Sequence, residues 1–152
     1  MMNMEIAVSL QEQLKIRRSF EFGAYSMIVQ YLAKTYGLSE LRKFAEFWAK
    51  TAAEDRRNIV KKSKLEFLAW EAKIEKVWLG REIKKLDNEG YIGVVKKCPL
   101  RFVTNKQRQD LPIDFFCDYV CSIIYPKGYR LLGFRSSMDK TKNGCEIAIH
   151  VS

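Results

Sequence analysis

Apolar residues in the first half of the chain recur at three- and four-residue steps, the spacing that gathers them on one face of a helix. Phe20, Ala24, Met27, Ile28, Tyr31 and Leu32 predict an amphipathic helix over Phe20 to Lys34, with Gly37 where a C-cap glycine would sit. Ser39 is placed to cap a second helix, whose apolar positions Leu41, Phe44, Ala45, Trp48, Ala49, Ala52 and Ala53 run on towards Ile59 and Val60. A third series, Leu65, Leu68, Ala72, Trp78, Leu79, Ile83 and Leu86, continues to the breaker Asp87-Asn88-Glu89-Gly90. A further short helix fits Glu5 to Ile16.

Beyond Gly90 the period shortens. Tyr91 to Lys97 is β-branched and aromatic and predicts a strand that delivers Cys98-Pro99 to its end. A polar segment, Thr104 to Asp110, leads to Leu111-Pro112, and Pro112 suits the first turn of a helix reaching about Tyr125. Pro126-Lys127-Gly128 reads as a turn. Tyr129 to Ser136 and Cys145 to Val151 read as strands joined by a reversal at Asn143-Gly144, and Cys145, Ile147 and Ile149 share one face of the last. The expectation is a single α+β domain over 1–152, with a helical half (1–88) and a strand–helix–hairpin half (89–152). The N-terminal helical layer would pack on a small antiparallel sheet carrying one further helix.

At 152 residues and 47% hydrophobic content the chain can bury one ordinary core. Met1 to Arg18 holds Glu5 and no apolar run of signal-peptide length, and nothing approaches 18 consecutive apolar residues. A cytoplasmic protein without membrane association is expected, with a homo-oligomer among its partner classes. The net charge is +9, and residues 51–100 hold 12 Lys and Arg against 8 acids. A basic nucleic-acid-binding module is the reading this charge allows. The alternation of Glu71 and Glu75 with Lys73 and Lys76, and of Arg81, Glu82 and Lys85, reads instead as solvated helix faces.

The chemistry concentrates in four cysteines, Cys98, Cys117, Cys121 and Cys145, all in the last 55 residues. In a reducing compartment they point to free, metal-bound or redox-active sulfur. Cys98 stands beside Lys96, Lys97 and Arg101, cations that lower a thiol pKa, and is the first choice for a nucleophile. Cys117 is the second thiol candidate. Asp114, one turn earlier, and the adjacent Asp118 are the candidate carboxylates for proton handling. Cys121, flanked by Val120, Ile123 and Ile124, reads as core. As metal ligands the set is Cys98, Cys117 and Cys145, with Cys121 as a fourth. Only Cys117-x₃-Cys121 comes near a zinc knuckle, and the ferredoxin spacings are missing, so the cofactor stays open between zinc, iron–sulfur and none. His150 is the one histidine and reads as a surface residue near the terminus. Phosphate-loop, serine-hydrolase and zinc-protease motifs are lacking.

The order strand, Cys98-Pro99, helix with Phe116-Cys117-Asp118, strand ending near Arg135-Ser136, then Asn143-Gly144-Cys145-Glu146-Ile147 resembles the L-2-amino-thiazoline-4-carboxylic acid hydrolase family over about residues 90–151. It is more distantly similar to ligand-binding domains of the 4-vinyl reductase type, which share a helical first half and a terminal hairpin carrying a cysteine. The first resemblance implies a hydrolase-like protein opening a cyclic amidine or thiazoline carboxylate. Water or the Cys98 thiolate would attack, Asp114 or Asp118 would move protons, and Arg101 or Arg135 would hold the carboxylate of a small anionic substrate. The second implies a non-catalytic domain in which the cysteines hold metal, switch redox state or line a small-ligand site.

Overall fold

A computed structural model describes residues 9–107 and 110–151. Three helices, α1 (Leu10–Tyr36), α2 (Leu38–Lys62) and α3 (Lys64–Leu79), precede a hairpin of β1 (Glu82–Asp87) and β2 (Gly90–Val95). Helix α4 (Pro99–Gln107), a π-helical turn at Cys117–Cys121, α5 (Ser122–Leu131) and a second hairpin, β3 (Phe134–Lys140) and β4 (Cys145–Val151), complete the order. The four strands form one antiparallel sheet in the order β1-β2-β4-β3. The fold is therefore α+β, helices packed on a small antiparallel sheet.

Several boundaries differ from the periodicity reading, each for a local reason. Ser9 and Glu12 close a reciprocal capping box, so the Phe20 helix begins at Leu10 and absorbs the described part of the short helix expected over Glu5 to Ile16; Glu5 itself lies outside the described residues. Gly37, at φ 87°, both ends α1 and precedes α2, which leaves Ser39 inside the helix with no capping role. The third apolar series is not one helix. Gly80 adopts the left-handed conformation (φ 68°) and stops α3 at Leu79, and Glu82–Asp87 then turns back as an edge strand, so the sheet draws on both halves of the chain. Of the polar segment, Thr104 to Gln107 belongs to α4, which has Pro99 at its first position. Pro112 starts no helix: Asp114 stands at φ 60° and the helix begins only after it. Pro126 lies inside α5, not in a turn, where the carbonyl four residues back forgoes its hydrogen bond. Helix α5 thus runs through Tyr129 to Leu131, and β3 starts at Phe134.

Burial on β4 follows the expected alternation, with Cys145, Ile147 and Ile149 facing the helices. The small residues Ala45, Ala49 and Ala53 give α2 a flat buried face. Helix α1 buries Phe22, Ser26, Val29 and Ala33 but leaves Phe20, Met27 and Tyr31 on the surface. Among the described residues no helix is long and apolar enough to cross a membrane.

Candidate functional site: a thiol-lined apolar cavity

Where α1, α2 and α3 meet α5 and the sheet they leave a cavity of about 250 Å³. Tyr25 of α1, Trp48 and Ala52 of α2, Ile74 and Trp78 of α3, and Ile124 and Tyr125 of α5 contribute to its apolar wall. The rings interlock: Tyr25 stacks on Trp48 at 5.3 Å between centroids and meets Trp78 edge-on at 5.9 Å. The Trp78 indole N–H leaves the cavity to donate to Glu21 at 2.9 Å.

All four cysteines line this one cavity. They arrive from the end of β2 (Cys98), the π-helical turn (Cys117 and Cys121) and the start of β4 (Cys145). The wider π turn carries Cys117 and Cys121 at its two ends. All four are free thiols. Cys121 keeps part of its surface open deep in the fold, and that surface faces the cavity. Among the described residues no group of three or more His, Cys, Asp or Glu could hold a metal ion, so the geometry lends Cys98, Cys117 and Cys145 no support as a ligand set.

The electrostatics reverse the expectation of a Cys98 thiolate. Burial pushes the Cys98 thiol up, and it outweighs the N–H groups of Arg101 and Leu100 at the start of α4 that favour the thiolate. Of the cations counted on from the sequence, Lys96 pairs with Glu82 at 2.8 Å and Arg101 with Asp114, while Lys97 lines the outer cleft. Burial and the neighbouring Cys98 push Cys117 up to about 12, burial and Cys117 raise Cys121 well above its ordinary value, and burial raises Cys145. The cavity therefore presents neutral sulfhydryls near neutral pH.

Cys98, Arg101 and Asp114 also meet at an outer cleft with Lys97 and Lys142, so Cys98 borders both spaces. Arg101 has little to offer a substrate there. Its Nε and Nη2 donate to the Asp114 carboxylate at 2.6 Å each, and Nη1 donates to the Thr141 carbonyl at 2.6 Å. Asp118 lines neither space and pairs with Lys140 at 2.8 Å. Arg135 sits opposite His150 in the β3–β4 register, and both lie outside the cavity and the cleft. Thus Cys98 and Cys117 share the cavity, Asp114 stays with Arg101 at the cleft, and Asp118 and Arg135 stand apart.

The charged groups that do reach the cavity were read from the sequence as solvated. Glu71 and Glu75 are only 4% and 3% exposed, and Arg81 only 1%. Arg81 Nε lies 2.6 Å from Glu75 Oε2. Glu71 accepts a hydrogen bond from the Tyr129 hydroxyl at 3.1 Å and lies 3.4 Å from Arg56 Nε. Gly93 makes room for Arg81: a Cβ there would stand 2.6 Å from Arg81 Cδ and would overlap the Tyr91 hydroxyl. Burial drives the Glu75 carboxyl up to about 7 against the pull of Arg81, while Arg81 itself stays protonated.

No protein-family model and no curated protein matches the chain. The chain is similar in structure to trafficking protein particle complex subunit 3 from Naegleria fowleri, solved covalently bound to palmitic acid. That likeness has a TM-score of 0.52 at 14% identity, over 91% of this chain and 96% of the other. It establishes a shared fold.

Proposed function

We propose that this chain is a non-catalytic ligand-binding domain that takes a compact, mainly apolar molecule into the cavity between α1, α2, α3, α5 and the sheet. The observation that carries the reading is the cavity itself, some 250 Å³ walled by aromatic side chains and four protonated thiols. The thiols suit this role better than catalysis, since neutral sulfhydryls behave as small apolar groups. The similar fold solved with a covalently bound fatty acid adds support, in that its architecture is found carrying an apolar chain.

The hydrolase-like reading draws on one observation, the meeting of Cys98, Arg101 and Asp114 at the outer cleft. Ring opening of a thiazoline carboxylate would test it. The binding reading is tested by titrating octanol into the protein and following the emission of Trp48 and Trp78, which line the cavity, with native mass spectrometry for stoichiometry. Saturable 1:1 binding, abolished when Ala52→Phe fills the space, is expected. A linear, unsaturable response that Ala52→Phe leaves unchanged would refute the reading.

A further inference from the structure

The buried charges pose a question that the apolar wall does not answer, and the following rests on the ligand-binding reading. We propose that the ligand carries a carboxylate, which docks on Arg81 by replacing Glu75 as the partner of its guanidinium. Arg81 is a fully buried cation on the cavity wall, yet its bonds are poor. Nη1 donates to the Gly93 carbonyl at 3.4 Å and Nη2 to the Tyr125 hydroxyl at 3.5 Å. The Nε contact with Glu75 is 2.6 Å long, but neither atom makes an aligned hydrogen bond in it. The two charges touch without the N–H pointing along the line between them.

A guanidinium is a rigid fork that fits a planar carboxylate through two parallel bonds. A ligand whose apolar body fills the aromatic part of the cavity brings its carboxylate to that fork. Two ionised carboxylates beside one buried guanidinium repel each other in a low-dielectric site, so the incoming anion leaves Glu75 protonated. The balance is one ligand carboxylate bound and one proton taken from solvent onto Glu75, with no bond made or broken elsewhere.

The surroundings make Glu75 the group that yields. It faces Glu71 on its own helix, Arg56 from α2, Arg81, Tyr91 from β2, Tyr125 and Tyr129 from α5, and Cys145 from β4. The tyrosines and Cys145 are raised further from their charged forms by burial and stay neutral, and Arg81 stays protonated. Glu71 is also raised by burial, but Arg56 and the Tyr129 hydroxyl favour its ionised form. Glu75 sits near 7 before any ligand arrives, so the exchange needs no extreme pH.

The experiment is calorimetric titration with octanoate, and with octanol as its uncharged counterpart, in two buffers of different ionisation enthalpy. Octanoate affinity should begin to fall near pH 7, where about half a proton is taken up, and should approach a tenfold fall per pH unit with close to one proton taken up by about pH 8.5, while octanol shows neither effect. Glu75→Gln should keep octanoate binding but lose both the proton uptake and the pH dependence. Arg81→Lys should lose the preference for octanoate over octanol; if that variant fails to fold, the Glu75→Gln result still decides. Equal affinity for the two probes, or octanoate binding without proton uptake, would overturn the proposal and leave the binding reading intact. Binding of neither would overturn both.

Discussion

Arg101 and Asp114 form a two-pronged pair in which Nε and Nη2 of the arginine each donate to one carboxylate oxygen at 2.6 Å. Asn105 adds a donor to the same carboxylate at 2.7 Å and accepts the Asp114 N–H at 3.1 Å. Through its Nη1, Arg101 reaches the Thr141 carbonyl, so one side chain joins α4, the loop ahead of α5 and the β3–β4 turn. The pair thereby fixes the ends of the elements that carry Cys98, Cys117 and Cys145 into the cavity.

Asp114→Ala should accordingly destabilise the protein by about 3 kcal/mol, because it leaves a largely desolvated guanidinium without its counter-charge. Arg101 and its Asn105 and Lys140 neighbours hold the Asp114 carboxyl below its ordinary 3.8. Its folded-state pKa is depressed, so the stabilisation is complete above the unfolded value and fades as pH falls through the folded one. Thermal melts of the two proteins should differ fully near neutral pH, and the gap should close only below about pH 3.8. An equal gap at every pH would mean that Asp114 acts through packing alone.

Thiol labelling should rank the cysteines by access and burial. Cys98 borders the outer cleft and receives the Arg101 N–H at 3.4 Å, so it should alkylate first. Burial raises its pKa, so the rate at neutral pH should be slow and should climb steeply into the alkaline range. Cys117, pushed up to about 12, and Cys121, raised well above its ordinary value by burial, should follow far behind. Mass spectrometry after brief iodoacetamide treatment at several pH values reads the order. Rapid modification of Cys98 at neutral pH would restore the thiolate that the sequence suggested.

Gly93→Ala tests how Arg81 is seated. The added methyl would crowd Arg81 Cδ and the Tyr91 hydroxyl, both on buried side chains. A loss of about 1–3 kcal/mol is expected from such overpacking, seen as a lowered denaturation midpoint with an unchanged slope. A neutral effect would show that Arg81 can take another path across the sheet.

How far these features could be read in advance depended on whether local signals agreed with tertiary ones. The alternation of Cys145, Ile147 and Ile149 was legible because β4 is buried on one face only, which is what period two reports. Cys98 at a strand end and Cys145 at a hairpin base could be expected to approach the helix face of Cys117, whereas Cys121, which reads as core, lines the same cavity. Arg81 was not legible. It lies in the run Gly80-Arg81-Glu82-Ile83-Lys84-Lys85, where a buried cation is indistinguishable from its exposed neighbours, and Glu75 differs from solvated glutamates only by what packs over α3. The break between α3 and β1 does carry a local signal, because Gly80 after Leu79 marks a helix end and separates Glu82–Asp87 from the helix. Pro126 misled in the opposite sense, since helix packing outweighed its propensity to break α5.

The pH dependence of stability should expose Glu75 without any ligand. Its folded-state pKa is raised from 4.5 to about 7, chiefly by burial. The native state therefore binds more protons than the unfolded chain between those values, and stability must fall as pH rises through that window. For this one carboxyl the fall amounts to about 3 kcal/mol between about pH 4.5 and about pH 7, after which it levels off. Glu71 is raised in the same direction, so Glu75→Gln should flatten the slope without abolishing it. Chemical denaturation of the two proteins across that range measures the difference directly. If the wild-type protein gains stability from pH 4.5 to 7 and Glu75→Gln follows the same curve, Glu75 is ionised throughout, and Arg81 holds it too firmly for any other carboxylate to displace.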